Sequence, residues 1–179
     1  DYLVDKYKDV KILASEALQC PTILYNGFGA HRIEGIGDKH IPWIHNVKNL
    51  DSAVAIDDNH PISVMRLFNE EIGKEYLISL GVDSKTVEKL HLLGISSISN
   101  LISAIKMAKY YEFNENDIIF TVFTDSMDMY KSRIIEQNEL NGRYTKEQAA
   151  IDFNIALKNQ SIEHFKELSY YDKKAVHNL

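Results

Sequence analysis

The sequence has little of what a secreted, nucleic-acid-binding or membrane-spanning protein needs. Cys20 is its only cysteine, so an internal disulfide is impossible and a reducing cytoplasm is the predicted compartment. Its 20 lysines and arginines form no cluster, and its 26 acidic residues give a formal net charge of −6, which argues against a nucleic-acid surface. We find no signal peptide and no apolar run long enough to cross a bilayer. We therefore expect neither nucleic acid nor a membrane among its partners.

Repeats, low-complexity segments and Pro/Gly/Ser-rich linkers are also missing, so the 179 residues fit one domain or part of one. Hydrophobic residues make up 45% and charged residues 26%, ordinary values for a globular protein with a sizeable core. The chain opens without a methionine and in amphipathic spacing, and it stops just after residues 171–176 begin a helical pattern. We expect it to be a piece of a longer protein.

Three short apolar runs predict strands, at residues 10–14, 53–56 and 117–123. The last is the clearest, and all three are typical of buried parallel strands. Helical patterns cover residues 62–76, 82–91, 98–111, 127–140, 146–157 and 161–168, with a capping box at residues 145–148. We therefore predict an α/β fold: a partial open parallel sheet of about three or four strands, with helices on both faces and a helical C-terminal tail. Glu16 follows the first strand, where it could cap a helix, face solvent or lie at the ligand edge of the sheet.

The most informative stretch is the start of the helix over residues 98–111, which follows Leu-Gly-Ile-Ser-Ser. Gly94 lets the chain turn tightly there. Ser97 and Ser99 are candidate N-caps, because a side-chain oxygen can accept a hydrogen bond from a free N–H of the first turn. By itself this stretch favours a well-capped core helix over a binding site.

Residues 21–46 are rich in glycine and histidine and have little periodicity. Glycine allows close backbone approach and movement, so the composition fits an active-site flap and a surface loop equally well. The Gly-Ile-Gly of this segment lacks the third glycine and the strand–helix context of a dinucleotide fingerprint. His31, His40 and His45 lack a recognised zinc spacing and a cysteine partner, so we expect no metal site.

Three stretches together carry a family resemblance. Residues 32–42 read Arg-Ile-Glu-Gly-Ile-Gly-Asp-Lys-His-Ile-Pro, residues 94–97 read Gly-Ile-Ser-Ser, and residues 120–130 contain Asp-Ser followed by tyrosine. In the same order, they resemble the Gln/Glu-Gly-Ile-Gly…Pro, Gly-Ile-Ser-Ser-Gly and Pro-Asp-Ser…Tyr segments of cysteine synthases. That family depends on pyridoxal phosphate (PLP), has fold type II, and is related to cystathionine β-synthase and to the tryptophan synthase β chain. The resemblance runs from about residue 10 to residue 133, with an insertion at residues 82–92.

The resemblance implies a cofactor site built from these stretches. The family's partner of the pyridine nitrogen corresponds to Ser96, whereas in tryptophan synthase the analogous serine would be Ser126. Asp125 is a nearby acid and the alternative partner. The implied cofactor-binding residues are Ser96, Gly94, Gly35, Gly37, Asp125 and Ser126, and the implied substrate flap contains Glu34, Ile36 and His40.

The partner of the ring nitrogen decides which chemistry is favoured. PLP takes up electron density from a substrate carbanion in its pyridine ring, and the protein tunes the ring through the partner of its nitrogen. A carboxylate would keep that nitrogen protonated and the electron sink strong, whereas a serine hydroxyl gives a weaker sink. The resemblance therefore implies β-elimination or β-replacement on a serine- or cysteine-type amino acid.

The chain departs from the family at two positions and lacks one region. Ile98 stands where the family has glycine, which would narrow the space at the helix start, and Thr124 stands where the family has proline. The family's Schiff-base lysine, substrate-carboxylate loop and Gly-rich phosphate cup precede the region that matches residue 10. We therefore expect no catalytic residue in this fragment and no turnover by it alone.

The resulting hypothesis is a fragment of a PLP-dependent lyase or transferase of amino-acid metabolism, a homodimer when full-length. Residues 1–134 would be the C-terminal part of its large domain, and residues 135–179 a helical tail packed on that domain or on a partner subunit. The alternative is a non-catalytic α/β module for binding or assembly, and the replacement of the family's glycine by Ile98 would be a sign of lost catalysis. A serine hydrolase fits less well, because Gly-Ile-Ser-Ser-Ile lacks the last glycine of a nucleophile elbow.

Overall fold

The centre of the fold is a sheet of three strands. A computed structural model describes residues 2–7 and 9–178 of the chain. In spatial order, the strands are β1 (Leu13–Ala17), β2 (Ser52–Ile56) and β3 (Phe165–Glu167). β1 and β2 are parallel, with Ala14 opposite Ala53, whereas β3 runs antiparallel to β2. The predicted α/β class is confirmed.

Helices surround this sheet. The described α-helices are α1 (Tyr2–Lys6), α2 (Thr22–Tyr25), α3 (Asn59–Asn69), α4 (Glu71–Ser79), α5 (Ser84–Lys89), α6 (Ile95–Tyr110), α7 (Lys131–Asn141), α8 (Lys146–Phe153) and α9 (Tyr170–His177). Short 3₁₀ turns lie at Val47–Asn49, Leu90–Leu92 and Met127–Met129, and a π-helical turn, Asn154–Lys158, follows α8. Within the described residues no single helix is long and apolar enough to cross a membrane. One bent pair, Ser84–Leu92 with Ile95–Tyr110, passes by length and composition only when both arms are taken together.

The alternation of side chains along β2 gives the sheet two buried faces. Val54 and Ile56 belong to the main hydrophobic core, together with side chains of α3 and α6. Ala53 and Ala55 lie on the opposite face, in a smaller cluster with side chains of α2 and α9. Burying one large aliphatic side chain contributes about 1.5–3 kcal/mol, so both faces stabilise the sheet. The prediction of helices on both faces is confirmed.

The predicted strand at residues 117–123 is wrong for the chain as described. The segment has no regular secondary structure and pairs with no strand among the described residues, and the antiparallel β3 makes the sheet mixed instead of wholly parallel. Ile118 and Phe120 are 91% and 84% exposed. The apolar, β-branched composition of a buried strand is present here, but a strand also needs a neighbour to pair with, and composition cannot supply one.

The C-terminal tail contains one strand that the periodicity missed. The predicted helix at residues 161–168 is wrong, because His164 has a positive φ of 58° and β3 follows it directly. The Ala55 N–H donates to the His164 carbonyl at 2.9 Å, and Phe165 stacks on Tyr110 of α6 with ring centroids 4.2 Å apart. A non-local pairing thus overrides local helix propensity. The proposed boundary between residues 134 and 135 remains a prediction.

Candidate active site

The first turn of α6 is capped by a carboxylate from a distant part of the chain. Asp125 Oδ2 accepts from the Ser96 N–H at 3.0 Å, and Oδ1 accepts from the Ser97 N–H at 2.9 Å. These are two of the N–H groups that a helix start leaves without an intrahelical partner. A negative charge there also opposes the positive end of the helix dipole. The prediction that Ser97 or Ser99 caps α6 is therefore wrong. The Ser97 hydroxyl instead donates to Asp125.

Gly94 is needed at this position because the site is crowded. Its N–H donates to the Asp125 carbonyl at 3.0 Å. A Cβ added to Gly94 would lie 2.5 Å from Asp125 Cγ and 2.8 Å from Tyr130 Cε2, which is closer than real Cβ contacts come. Its φ of −81° is open to any residue. Close packing against the capping carboxylate, not backbone conformation, thus explains the glycine.

The Asp125 carboxylate is ionised and fully engaged. Burial alone would raise the pKa of Asp125, but hydrogen bonds from the Ser97 hydroxyl and from the N–H groups of Ser97 and Ser96 hold it below its ordinary value. The Tyr130 hydroxyl also donates to Oδ2 at 3.0 Å. Burial and the neighbouring carboxylate raise the pKa of Tyr130 to about 12, so this hydroxyl stays a donor. Each oxygen of Asp125 therefore already accepts from two donors.

The Ser96 hydroxyl is differently placed. Ser96 Oγ lies 3.2 Å from Thr124 Oγ1, and either atom can be the donor. The residue is 1% exposed. A Cβ built on Gly35 would lie only 3.3 Å from Ser96 Oγ, so the backbone of the glycine-rich segment lies directly over the serine. The three stretches that carried the family resemblance meet at this hydroxyl.

The glycine-rich segment around residues 33–40, which we term the flap, is anchored at both sides. Gly37 has a φ of 85°, and a Cβ there would lie 3.6 Å from the Cβ of Ala17, at the carboxyl end of β1. His31 Nε2 lies 3.2 Å from the Gly37 carbonyl oxygen. Glu34 reaches across to α7, where its Oε1 lies 2.6 Å from Arg133 Nη2. The flap thus spans from the sheet edge to α7.

The remaining predicted residues are more loosely connected to Ser96. Ile36 is half-buried and packs against the main core. His40 is exposed, and only its backbone N–H has a described hydrogen bond, to Asp38 Oδ1 at 3.2 Å. Ser126 is half-buried, and its carbonyl accepts from the Met129 N–H at 3.2 Å. The geometry therefore groups Ser96, Gly94, Gly35 and Asp125 more closely than Ile36, His40 or Ser126.

Comparison with known proteins gives two kinds of relative. No family model matches the chain. Cysteine synthase B from Campylobacter jejuni is 26% identical over 132 residues, which is 74% of this chain and 37% of the relative. The fold of the present chain matches that of a hydrogen sulfide-producing enzyme, crystallised as a mutant with an α-aminoacrylate intermediate. The TM-score is 0.54 at 25% sequence identity, and the match covers 92% of this chain and 41% of the enzyme chain. The chain is thus similar in sequence to a cysteine synthase and in fold to a hydrogen sulfide-producing enzyme.

A second structure, of the hydrogen sulfide-producing enzyme from Fusobacterium nucleatum, gives a TM-score of 0.53 at 23% identity and equal coverage. The cysteine synthase resemblance and the partial fold type II architecture, both predicted from sequence, are confirmed. This cysteine synthase-like chain spans less than half the length of these relatives. Within residues 2–7 and 9–178, no group of three or more His, Cys, Asp and Glu side chains is arranged to hold a metal ion.

The departure at Ile98 lies in the first turns of α6 and inside the core. Ile98 is fully buried and belongs to the main hydrophobic cluster, which contains Val54 and Ile56 of the sheet and also Tyr130 of the site. The non-catalytic alternative remains a prediction.

Glu16 takes the capping role that the sequence left open. It lies inside β1 and is buried, and its carboxylate accepts from the Ile23 and Leu24 N–H groups of α2 at 2.9 and 2.8 Å. Burial raises its pKa, although these backbone hydrogen bonds act in the opposite direction.

Sequence reasoning missed two contacts at the site. The hydrogen bond between Thr124 and Ser96 forms where the family has proline, so the family resemblance does not predict it; a hydroxyl at that position makes a bond that proline cannot. The ion pair between Glu34 and Arg133 joins residues 99 positions apart, so no local sequence pattern predicts it.

Proposed function

We propose that this chain forms part of a PLP-dependent enzyme that catalyses β-elimination or β-replacement on a small serine- or cysteine-type amino acid. When bound, PLP supplies the electron sink for this chemistry. The observation that carries the proposal is the meeting of the flap, the start of α6 and residues 124–125 around the Ser96 hydroxyl, in a chain related to cysteine synthase B.

The hydrogen-bond pattern supports Ser96, and not Asp125, as the partner of the ring nitrogen. Both oxygens of Asp125 are taken up by Ser96, Ser97 and Tyr130. The Ser96 hydroxyl lies 3.2 Å from the Thr124 hydroxyl, and its side-chain hydrogen bond to Asp125 is one of the contacts that lower the pKa of that carboxyl. Because Asp125 keeps its other donors, the Ser96 hydroxyl can turn away from it and donate to a ring nitrogen while Thr124 donates to Ser96. A neutral donor does not protonate the nitrogen, which fits elimination better than reactions that need a long-lived carbanion.

The flap supplies the second part of the proposal. Gly35 covers Ser96, which is 1% exposed, so a cofactor ring can reach the hydroxyl only when the flap moves outward. Closing again over a bound substrate would exclude water from the reacting atoms. Glu34 and Arg133, both part-exposed, would hold the closed position through an ion pair that is weak enough to open.

The proposal also covers the rest of the protein. Since the family's Schiff-base lysine lies before the region that matches residue 10, the 179 residues alone would not turn over. The whole enzyme would be a lyase or transferase and a homodimer in a reducing cytoplasm, without nucleic-acid or membrane partners. Residues 1–134 would belong to its large domain, and residues 135–179 would pack on that domain or on a partner subunit.

The test is to add PLP to the full-length protein and compare Ser96→Ala with Ser99→Ala. We expect visible absorbance that added serine or cysteine perturbs. Ser96→Ala should lower the β-elimination rate about 10- to 100-fold, as losing a hydrogen bond worth about 1–3 kcal/mol implies.

Ser99 is the matched control, because it is a buried serine of the same helix whose hydroxyl has no described partner. Its alanine variant should keep the wild-type rate. A protein without visible absorbance, or equal rates for Ser96→Ala and wild type, would contradict the proposal.

A further inference from the structure

Three of the four arginines in the sequence line one cavity. Arg32, Arg66 and Arg143 come from three separate segments, and they meet at a cavity of about 650 Å³ between α3, α7 and the start of α8. We term it the arginine cavity. No described lysine lines it, although lysine is the commoner cation in the sequence. Arginine offers a planar fork of N–H donors that matches a carboxylate, which an ammonium group does not, so this choice of cation points to recognition of an oxyanion.

Arg66 is held rigidly and keeps a free donor. The residue is 5% exposed, and its Nη2 donates to Asn138 Oδ1 at 2.8 Å and to the Gly142 carbonyl at 2.9 Å. Its guanidinium carbon lies 4.7 Å from the centre of the Tyr144 ring. Its Nη1 has no hydrogen-bond partner in the described part of the chain and is not sealed from solvent. A cation fixed in this way loses little freedom when it binds a ligand.

Gln137 supplies a second free donor from α7. It is 7% exposed, and its Oε1 accepts from Asn141 Nδ2 at 2.9 Å. Its Nε2 forms no hydrogen bond with a residue in the described ranges, and it is also not sealed from solvent. Since buried polar groups in native proteins are nearly always hydrogen-bonded, an amide that is satisfied only on its acceptor side indicates an acceptor in the arginine cavity.

The charges around the cavity leave one arginine without a counter-ion. Arg32 Nε lies 3.6 Å from Asp58 Oδ2, and Arg66 Nε lies 3.6 Å from Glu70 Oε1. Arg143 is exposed and forms no ion pair or hydrogen bond with any other residue that the structure describes. One negative charge from a ligand would therefore complete the pairing of the three arginines.

Asp152 limits the charge that the cavity accepts. It is the only carboxylate among the described lining residues, and it is 5% exposed. Its Oδ2 accepts from the Tyr144 hydroxyl at 2.7 Å, and its Oδ1 accepts from Gln148 Nε2 at 2.8 Å. A fixed negative charge in the wall repels a second negative charge on the ligand, which favours a monoanion over a dianionic phosphate group.

We propose that the arginine cavity binds a small polar molecule with one carboxylate group. Arg66 and Arg143 hold the carboxylate, and Gln137 donates to an oxygen of the same molecule. The volume lies within the range of small-molecule sites, and the rest of the lining is largely amide and hydroxyl groups, which suits a ligand with further polar groups. Ser96, Asp125 and the flap do not line the cavity, so binding there is separate from the candidate active site.

The arginine cavity lies between the two anchors of the flap. Arg32 directly precedes the flap, and Arg133, which pairs with Glu34 of the flap at 2.6 Å, lies one turn before Gln137 on α7. A ligand that contacts both walls should therefore keep the flap closed for more of the time. This consequence rests on the flap motion of the proposed function, whereas the binding itself does not.

The test is an NMR titration of the chain with sodium lactate, which has one carboxylate and one hydroxyl, and with lactamide, its neutral counterpart. Ionic strength is held constant with sodium chloride. We expect lactate to cause saturable shifts of the Gln137 side-chain amide and lactamide to cause none. Exchange at the Ile36 amide should slow about fivefold at saturating lactate.

Arg143→Gln and Lys146→Gln form a matched pair, because each removes one exposed positive charge and only Arg143 lines the cavity. Arg143→Gln should weaken lactate binding about tenfold or more, as the loss of a hydrogen bond to a charged group implies. Lys146→Gln should bind lactate like wild type.

Four results would overturn the site: no saturable shift with lactate, equal shifts with lactamide, equal weakening by the two variants, or tighter binding of inorganic phosphate than of lactate. Unchanged exchange at Ile36 in the lactate-saturated chain would overturn the link to the flap. None of these readouts involves PLP or turnover, so failure here is distinguishable from failure of the proposed function, which the Ser96→Ala comparison measures.

Discussion

At the scale of single residues, Asp125 is the centre of the candidate site, although the sequence suggested it only as an alternative partner for a ring. Capping signals are local in sequence, whereas Asp125 lies 29 and 28 residues beyond Ser96 and Ser97, whose N–H groups it caps. The pairing of Gly35 with Ser96 could be anticipated from the family resemblance, because two matched motifs imply proximity. The Thr124 hydroxyl bond could not, since it arises where this chain departs from the family.

Asp125→Asn should make the free energy of unfolding less dependent on pH in the acidic range. A carboxylate whose folded pKa is lowered contributes stability above its unfolded value of 3.8, and that stability is lost as the pH falls through the folded value. We expect the variant to lose about 1–3 kcal/mol of unfolding free energy at pH 7, from the weakened charged hydrogen bonds. The difference in unfolding free energy between the variant and the wild type should shrink as the pH falls below 3.8. Urea unfolding from pH 7 to pH 2.5 measures both effects.

Asp128→Asn is the control for this experiment. Asp128 also has a lowered pKa, through its hydrogen bond and ion pair with Lys131, but it is exposed on the surface. Solvent screens such a pair, so its loss should leave the unfolding free energy nearly unchanged at every pH. An Asp125→Asn protein whose deficit stays constant down to pH 2.5 would show that the capping charge is not what stabilises α6.

At the scale of secondary-structure elements, prediction from the sequence succeeded where the interacting residues lie close together in the chain and failed where they lie far apart. The N-cap of α8 was predictable because Thr145 Oγ1 accepts from the Gln148 N–H only three residues away, at 3.2 Å. The predicted capping box is only half formed, since the Gln148 side chain donates to Asp152 and not back to residue 145. The strand β3 was not, because Phe165 adopts it through pairing with β2, more than 100 residues earlier. Residues 117–123 have the right composition for a strand, but the neighbour that would pair with them is not among the described residues.

The flap is the element whose motion the proposed function requires, and Glu34→Gln should loosen it. The Glu34–Arg133 pair is about half exposed, so it is worth at most about 1 kcal/mol. We therefore expect flap opening to increase by up to about fivefold, with little change in global stability. Hydrogen exchange at the Ile36 amide measures the opening.

Glu136→Gln tests whether the flap effect is specific, because Glu136 pairs with the same arginine from within α7. It should leave exchange at Ile36 unchanged. If the two glutamine variants accelerate exchange equally, Arg133 acts by stabilising α7 and does not hold the flap.

At the scale of the whole molecule, the exposed apolar side chains of residues 117–123 should govern how the chain associates in solution. Contiguous exposed apolar surface favours association, against which a net charge of −6 offers only general repulsion. Phe120→Lys should reduce concentration-dependent light scattering at unchanged melting temperature, because the side chain is 84% exposed and makes no core contact. Phe28→Lys changes an exposed phenylalanine outside this segment and should scatter like wild type; equal improvement by both would point to surface charge alone.

The capping of α6 by Asp125 also has a consequence for the order in which the chain acquires its structure. A helix start that is capped by a residue 28 to 29 positions downstream of the capped N–H groups has no local partner while the polypeptide is being synthesised. Its first turn should fray until residue 125 has left the ribosome, so the candidate site cannot become rigid before that part of the chain has emerged.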